Sequence, residues 1–232
     1  MRFIEMGAGN GKISSILLEA GLNGIGFDLS EKACVNNSKR NEVYLSRQQY
    51  AVRNSNFLDY DGDKVDIIIS SHVIEHLAEE DVDLFLKKSS SILKPGGRVI
   101  SIVPAGKKYW GIEDETSGHY RRYEYEDLQT LSEKFNLPVT HLAGLTYPLS
   151  NILLGLSDSL VRKHESWKTQ LSMQERTTLS SSGVKQVKYK TVFPNYFRYL
   201  INETTMYPFY LLQLMSARNP KSMVIYSEAT KP

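Results

Sequence analysis

The chain has 232 residues, 41% of them hydrophobic and 23% charged, with a formal net charge of +2. That length accommodates one continuous core, alone or with a sizeable insertion, and the composition excludes a disordered or fibrous protein. Charge so near balance does not advertise a nucleic-acid binder, which more often shows a strong basic excess concentrated in one stripe, and no nucleic-acid partner is expected.

A single cysteine, Cys34, rules out a disulfide framework or a cysteine-rich zinc site and suits a reducing compartment. The opening Met1-Arg2-Phe3-Ile4-Glu5 runs straight into a glycine-rich turn, without the charged region, long apolar run and cleavage site of a secretory signal. A cytoplasmic protein is expected. No apolar run reaches the roughly 18 residues of a membrane span, because Ser150, Asn151 and Asp158 break one candidate window and Asn202, Glu203 and Gln213 the other.

Through the first hundred residues, short apolar runs alternate with amphipathic stretches, which predicts βαβ units and a parallel sheet. Strands are expected at Phe3 to Met6, Gly24 to Phe27, Val52 to Phe57, Val65 to Ser70 and Arg98 to Val103, and helices starting near Gly11, Ser30 and Glu79. Ser30 directly before Glu31 supplies an N-cap and a first-turn acid; Lys94-Pro95-Gly96-Gly97 is a helix stop and turn. A polar, aromatic loop from Pro104 to Tyr123 should lie near the C-terminal strand ends, followed by a helix from Glu124 to Phe135 with Leu128, Leu131 and Phe135 on its apolar face. Pro138 to Leu145 and Ser222 to Ser227 read as the sixth and seventh strands. Between them lie apolar helical stretches at Pro148 to Val161 and Phe197 to Met215, joined by a Ser/Thr/Gln/Lys-rich section, Lys168 to Lys190, with the composition of a mobile connection. The expected architecture is a doubly wound α/β domain, residues 1–146 and 219–232, with a mostly parallel seven-stranded sheet. Residues 147–218 would form a helical insertion, an acceptor-side cap, before the last strand. No internal repeat has a solenoid period.

The sharpest motif is Glu5-Met6-Gly7-Ala8-Gly9-Asn10-Gly11-Lys12, a strand ending in glycines that opens a helix. Glycines allow tight turns and close approach of a ligand to the main chain, and the helix N-terminus presents unpaired N–H groups. A dinucleotide fingerprint would need its third glycine or alanine where Lys12 stands, which disfavours a nicotinamide-dependent oxidoreductase. The Gly7, Gly9, Gly11 spacing, with Glu5 two residues earlier, resembles motif I of the class I S-adenosylmethionine-dependent methyltransferases. Further landmarks follow in the family's order. Gly26-Phe27-Asp28-Leu29-Ser30 is similar to the second-strand end, where the residue matching Asp28 accepts hydrogen bonds from the ribose hydroxyls. Phe57-Leu58-Asp59 resembles the segment whose aspartate meets the adenine amino group, and Leu93-Lys94-Pro95-Gly96-Gly97-Arg98 the turn into the fifth strand. The resemblance covers about the first 105 residues. It implies a Rossmann-like fold, S-adenosylmethionine as donor with S-adenosylhomocysteine as product, and a cofactor site of Glu5, Gly7, Gly9, Gly11, Asp28, Leu29, Asp59 and Ser71. Family members usually carry a helix before the first strand; its absence here would leave the donor site open or require the insertion to close it.

On the acceptor side, methyl transfer requires chiefly alignment and exclusion of water, and a hydroxyl acceptor gains from a base. His72, His76, His119 and His141 lie in or after strand ends, and the first three are the catalytic candidates. If Ser71-His72-Val73-Ile74-Glu75-His76-Leu77 is helical, His72, Glu75 and His76 share a face. The segment is similar to the E-x-x-E-H metal-binding segment of small-RNA 2′-O-methyltransferases and some ubiquinone-pathway O-methyltransferases, with His72 in place of the first glutamate. No metal is the primary expectation, because the Glu75-His76 pair also occurs in related enzymes without one; His72, Glu75 and His76 are the alternative ligand set. Gly118-His119-Tyr120-Arg121-Arg122-Tyr123 resembles a G-H-x-R-R-Y segment of bacterial methyltransferases, some in polysaccharide and lipid-linked pathways. Tyr120, Arg121 and Arg122 are accordingly acceptor-binding candidates, the arginines through bidentate forks. In the competing reading the arginines pair with Glu113, Asp114, Glu124 or Glu126 and hold the loop. Lys107, Lys108, Tyr109 and Trp110 are weaker candidates of the same kind.

The insertion concentrates Leu153, Leu154, Leu156, Phe193, Tyr196, Phe197, Tyr199, Tyr207, Phe209, Tyr210, Leu211 and Leu212. A helical lid packed on the sheet is the expected explanation; contact with a membrane surface or a lipid-bearing acceptor is the alternative, beside the cationic Arg162, Lys163 and His164. The expected function is methyl transfer from S-adenosylmethionine to a small or carrier-linked acceptor, at oxygen, in a glycan, glycolipid or related metabolite. The rival reading is a non-catalytic or partner-completed binding module of the same fold.

Overall fold

The computed structural model describes residues 1–181 and 194–232. Seven strands, β1 (Arg2–Met6), β2 (Asn23–Phe27), β3 (Tyr50–Arg53), β4 (Val65–Ser71), β5 (Leu93–Pro104), β6 (Val139–Leu145) and β7 (Val224–Thr230), form one sheet in the order β3-β2-β1-β4-β5-β7-β6. The first five pair in parallel, and β7 runs antiparallel to both β5 and β6. Strand order reverses between β1 and β4, so a crevice opens there at the carboxyl ends of the strands, the place where such sheets take ligands. The helices are α1 (Lys12–Glu19), α2 (Glu31–Arg40), α3 (Glu42–Ser46), α4 (Glu79–Ile92), α5 (Ile112–Ser117), α6 (Tyr125–Glu133), α7 (Leu149–Glu165), α8 (Met173–Ser181) and α9 (Glu203–Met215).

β1 is apolar apart from Arg2 and Glu5, and Phe3 to Met6 are all buried, as a parallel strand covered on both faces requires. Phe3 faces one layer with Leu18 and Tyr50, while Ile4 faces the larger layer with Ile25, Ile68 and Val99. α4 covers that larger layer through Val82, Phe85, Leu86 and Ser89, the i, i+3, i+4, i+7 positions of one face. Its first turn carries Glu79, Glu80 and Asp81 against the helix dipole.

Element boundaries moved where pairing, not local pattern, sets them. β3 spans Tyr50 to Arg53 rather than Val52 to Phe57, because its register with β2 runs from Gly24↔Tyr50 to Phe27↔Arg53 and ends with β2. Asn54 then donates to the Asp28 carbonyl, and Asn56 accepts from the Leu58 N–H, which turns the chain into a 3₁₀ turn at Phe57–Asp59. β5 starts at Leu93, with the Pro95-Gly96-Gly97 stretch absorbed as an irregularity opposite β4. The loop after β5 contains the short helix α5.

Between β6 and β7 the chain forms α7, α8 and α9. Met173 to Ser181 of the polar Lys168–Lys190 section is helical, while its 182–190 part, and Phe193, lie outside the described residues. The apolar stretches are not buried as the lid expectation requires: α7 buries Val161 and Glu165, and α9 buries none of its residues. Among the described residues no helix is long and apolar enough to cross a membrane.

Candidate active site

After β1 the chain turns through Gly7, Gly9 and Gly11, at φ 68°, 50° and 73°. A Cβ at Gly7 would lie 2.3 Å from Val73 Cγ2, and one at Gly11 2.2 Å from Asn37 Oδ1. The Ala8 N–H ties the loop to the end of β2 by donating to the Phe27 carbonyl (2.9 Å). Asp28 closes the arrangement: Gly9 N–H donates to its Oδ2 and Ser30 N–H to its Oδ1, both at 2.8 Å. Its carboxylate is therefore held in one orientation at the crevice, with lone pairs left for a ligand.

Behind this loop Glu5 is buried. The Ser14 hydroxyl donates to Glu5, and Ser14 Oγ lies 2.7 Å from the Tyr50 hydroxyl, which also accepts from Asn37 Nδ2 (3.1 Å). Burial pushes the Glu5 carboxyl up to about 7, against the opposing pull of the Ser14 hydrogen bonds. Burial likewise pushes Tyr50 up to about 12.

A cavity of about 1320 Å³ occupies the crevice. Glu5, Gly7, Gly9, Asp28, Leu29 and Ser71 of the expected donor set line it. Two expected donor residues do not. Gly11 serves packing, with its carbonyl accepting from Asn41 Nδ2 (3.1 Å) and its Cα against Asn37. Asp59 is exposed and off the wall; since β3 ends at Arg53, Ser55, Asn56, Phe57 and Leu58 face the cavity instead.

On the opposite wall, β4 ends at Ser71 and the chain kinks at His72 (φ 54°), whose N–H donates to the Ile102 carbonyl. Ile74–His76 is a 3₁₀ turn, not an α-helix, so His72, Glu75 and His76 do not share a helix face. His72 Nδ1 lies 3.2 Å from Glu75 Oε1, with the imidazole half-exposed. Glu75 is fully buried, and its Oε2 finds no hydrogen-bond partner among the described residues. His76 Nδ1 donates to the Gly118 carbonyl (3.2 Å), which fixes its tautomer, and its ring meets His119 edge to face at 4.6 Å.

His119 is held by a residue that sequence reasoning weighed only as an arginine partner. Asp114 is completely buried; it accepts from His119 Nδ1 (2.8 Å), from Arg122 Nε (2.9 Å to each oxygen) and from the Gly111 N–H (2.9 Å). Burial alone would raise its pKa, but the His119 hydrogen bond and the Arg122 guanidinium hold it below the usual carboxylate range. The available signal was Gly111 three residues before Asp114, a helix-capping spacing, with His119 five residues on. Of the arginines, Arg122 is buried and locked between Asp114 and the Ala105 carbonyl (3.1 Å), and Arg121 Nη2 donates to the Leu77 carbonyl (3.0 Å). Both therefore brace the loop, and Arg122 also lines the cavity. Tyr120 is half-exposed, its N–H donating to the Glu75 carbonyl (2.8 Å). Tyr123 is buried, its hydroxyl donating to the Ile74 carbonyl (3.2 Å), and burial raises its pKa. The Glu75, His76 and His119 ligand atoms lie within 4.8 Å of one another; His72, which contacts Glu75, is not part of this group. Leu153, Leu154 and Leu160 of α7 supply apolar wall on this side.

A glycine turn at the switch point and a fixed acid at the second-strand end define a nucleoside-binding α/β domain, here facing a histidine-lined wall. Residues 1–142 match the profile of the methyltransferase-domain family, and the chain belongs to that family. It is 25% identical over 169 residues to the ubiquinone biosynthesis O-methyltransferase of Brucella ovis, a match covering 65% of this chain and 66% of the relative, just under two thirds of its length. The fold is similar to that of phosphoethanolamine N-methyltransferase 2 from Haemonchus contortus in complex with S-adenosyl-L-methionine (TM-score 0.59, 16% identity, 100% of this chain and 49% of that one). It is also similar to a SAM-dependent methyltransferase from Archaeoglobus fulgidus (TM-score 0.58, 14% identity, 99% and 86%).

Proposed function

We propose that the chain transfers a methyl group from S-adenosylmethionine to a hydroxyl of a small or carrier-linked acceptor. The observation that carries this reading is one cavity walled on one side by Gly7, Gly9 and Asp28 and on the other by His72, His76 and His119. Asp28, oriented by two backbone N–H groups, suits the hydroxyls of a ribose. S-adenosylmethionine, when bound, supplies the electrophilic methyl group.

His119 accepts the acceptor's proton at Nε2, while its Nδ1–H is directed at Asp114. Asp114 positions the imidazole and offsets the charge it gains. The α7 leucines exclude water and suit the apolar part of an amphipathic acceptor. That wall favours a glycan-bearing lipid or a similar metabolite, with residues 147–218 as an acceptor-side cap. The Brucella relative, named for O-methylation, favours oxygen as the methylated atom.

A second reading rests on Glu75. Its orphaned buried Oε2, grouped with His76 and His119, fits a divalent cation, which would supply Lewis-acid activation of the acceptor hydroxyl. One experiment separates the two: turnover of a hydroxylated acceptor by wild type and His119→Ala, each with and without chelator. General-base action predicts a fall in kcat of about 10²- to 10⁴-fold in His119→Ala, with the S-adenosylmethionine Kd unchanged and no chelator effect on wild type. Chelator-sensitive wild-type turnover establishes the cation reading. Unchanged kcat in His119→Ala contradicts both.

A further inference from the structure

Helix α9 has a surface unsuited to water. Its thirteen residues, Glu-Thr-Thr-Met-Tyr-Pro-Phe-Tyr-Leu-Leu-Gln-Leu-Met, carry no charge after Glu203. Every residue from Tyr207 to Leu212 is exposed, and Met215 is 86% exposed. The turn before it, Asn195–Tyr199, and its exit add exposed Tyr196, Tyr199 and Leu200. The apolar residues surround the axis instead of forming a stripe. A second copy or a partner protein with a flat face would cover one side and leave the other wet; a helix apolar all round belongs in a core or among acyl chains.

Length decides how it would sit there. Thirteen residues span about 20 Å at 1.5 Å each, short of the roughly 30 Å hydrocarbon layer, so the helix cannot cross it and would instead sink among the acyl chains of one leaflet. Charge identifies the surface: Arg218 and Lys221 are exposed just past α9, and Arg162 and Lys163 are exposed at the end of α7. The exit of α9 is tied to the sheet domain, with Gly144 N–H donating to the Ala217 carbonyl (2.6 Å) and Asn151 Nδ2 to the Lys221 carbonyl (2.9 Å). Asn151 belongs to α7, which exposes Ile152 and Leu156 and lines the cavity with Leu153 and Leu154.

We infer that α9 and the turn before it form a monotopic anchor that beds into an anionic bilayer surface, holding the α7 side of the cavity near lipid-borne molecules. Docking itself does not depend on the reaction proposed above. The test is co-sedimentation of the full chain with phosphatidylcholine vesicles, with and without phosphatidylglycerol, at low and high salt. The expected result is binding that phosphatidylglycerol strengthens and salt weakens. Leu211→Asp/Leu214→Asp should reduce it about tenfold or more; Arg218→Glu/Lys221→Glu should reduce it on anionic vesicles alone. α9 lines no part of the cavity, so both variants should keep wild-type Tm and S-adenosylmethionine affinity. Absence of vesicle binding at low salt overturns the inference. So does equal binding by the Leu211/Leu214 variant, or a wild-type dimer that this variant dissociates without any vesicle binding.

Discussion

Glu5 sits behind the cavity wall with Ser14 as its hydrogen-bond donor and is held neutral by burial over a range in which exposed glutamates are ionised. Because the folded pKa is raised from 4.5 to about 7, the folded state keeps a proton that the unfolded chain has lost. The contribution to stability is therefore complete below pH 4.5 and falls away as pH rises to about 7. The size is roughly 3 kcal/mol at 1.36 kcal/mol per pH unit. Glu5→Gln keeps the shape of the neutral acid and cannot ionise. Urea titrations across this range should show the wild-type ΔG declining relative to Glu5→Gln; parallel curves would contradict the assignment. At this scale much of this cavity wall was legible from sequence, since Glu5, Gly7, Gly9 and Asp28, which line it, are ordered along one local motif and the next strand end. Asp114 was weighed only as an arginine partner because its role depends on α5 folding His119 and Arg122 back onto one carboxylate.

Among the elements, the turn between β1 and α1 separates two uses of glycine. Gly11 is left-handed and pressed against buried Asn37, whereas an added Cβ at Gly9 meets nothing within 4 Å. Gly11→Ala should cost about 2 kcal/mol or more, from left-handed strain plus displacement of Asn37. Gly9→Ala should cost less stability but weaken S-adenosylmethionine binding, because it projects a methyl group at the cavity wall. Thermal melts and calorimetry on both variants read the two effects separately; the reverse ranking would contradict the division. β1 and β4 were readable because strands buried on both faces are apolar almost throughout. β3 ends earlier than its local pattern predicts because its end is set by pairing with β2, and Ser55 to Leu58 line the cavity where Asp59 does not. The 72–76 segment suggested a helix face, but it forms a 3₁₀ turn: His72 keeps a contact with Glu75 while His119, from a separate segment, joins Glu75 and His76 in the close group.

Over the whole molecule, the reversal of strand order and α7 between β6 and β7 bound one cavity, with the glycine turn and Asp28 on one wall and the histidines on the other. The glycine-turn wall follows from the sheet's own geometry, so its order in sequence pointed to the fold and to the family. The histidine wall is assembled from three separate segments, 71–77, 114–122 and α7, whose meeting no local pattern announces. The apolar insertion read from sequence first as a lid packed on the sheet, and the hydrophobic stripe alone could not show that α9 buries none of its residues.

The central claim is that the crevice at the switch point is an S-adenosylmethionine site organised by Asp28. Calorimetric titration with S-adenosylmethionine, S-adenosylhomocysteine and NAD, on wild type, Asp28→Ala and Asp28→Asn, tests it directly. The account predicts that the two sulfur ligands bind and NAD does not. Asp28→Ala should weaken binding about a hundredfold or more, the scale of two charge-assisted hydrogen bonds, and Asp28→Asn should weaken it less. A folded protein that binds neither sulfur ligand, or binds both equally well without the Asp28 carboxylate, would contradict it.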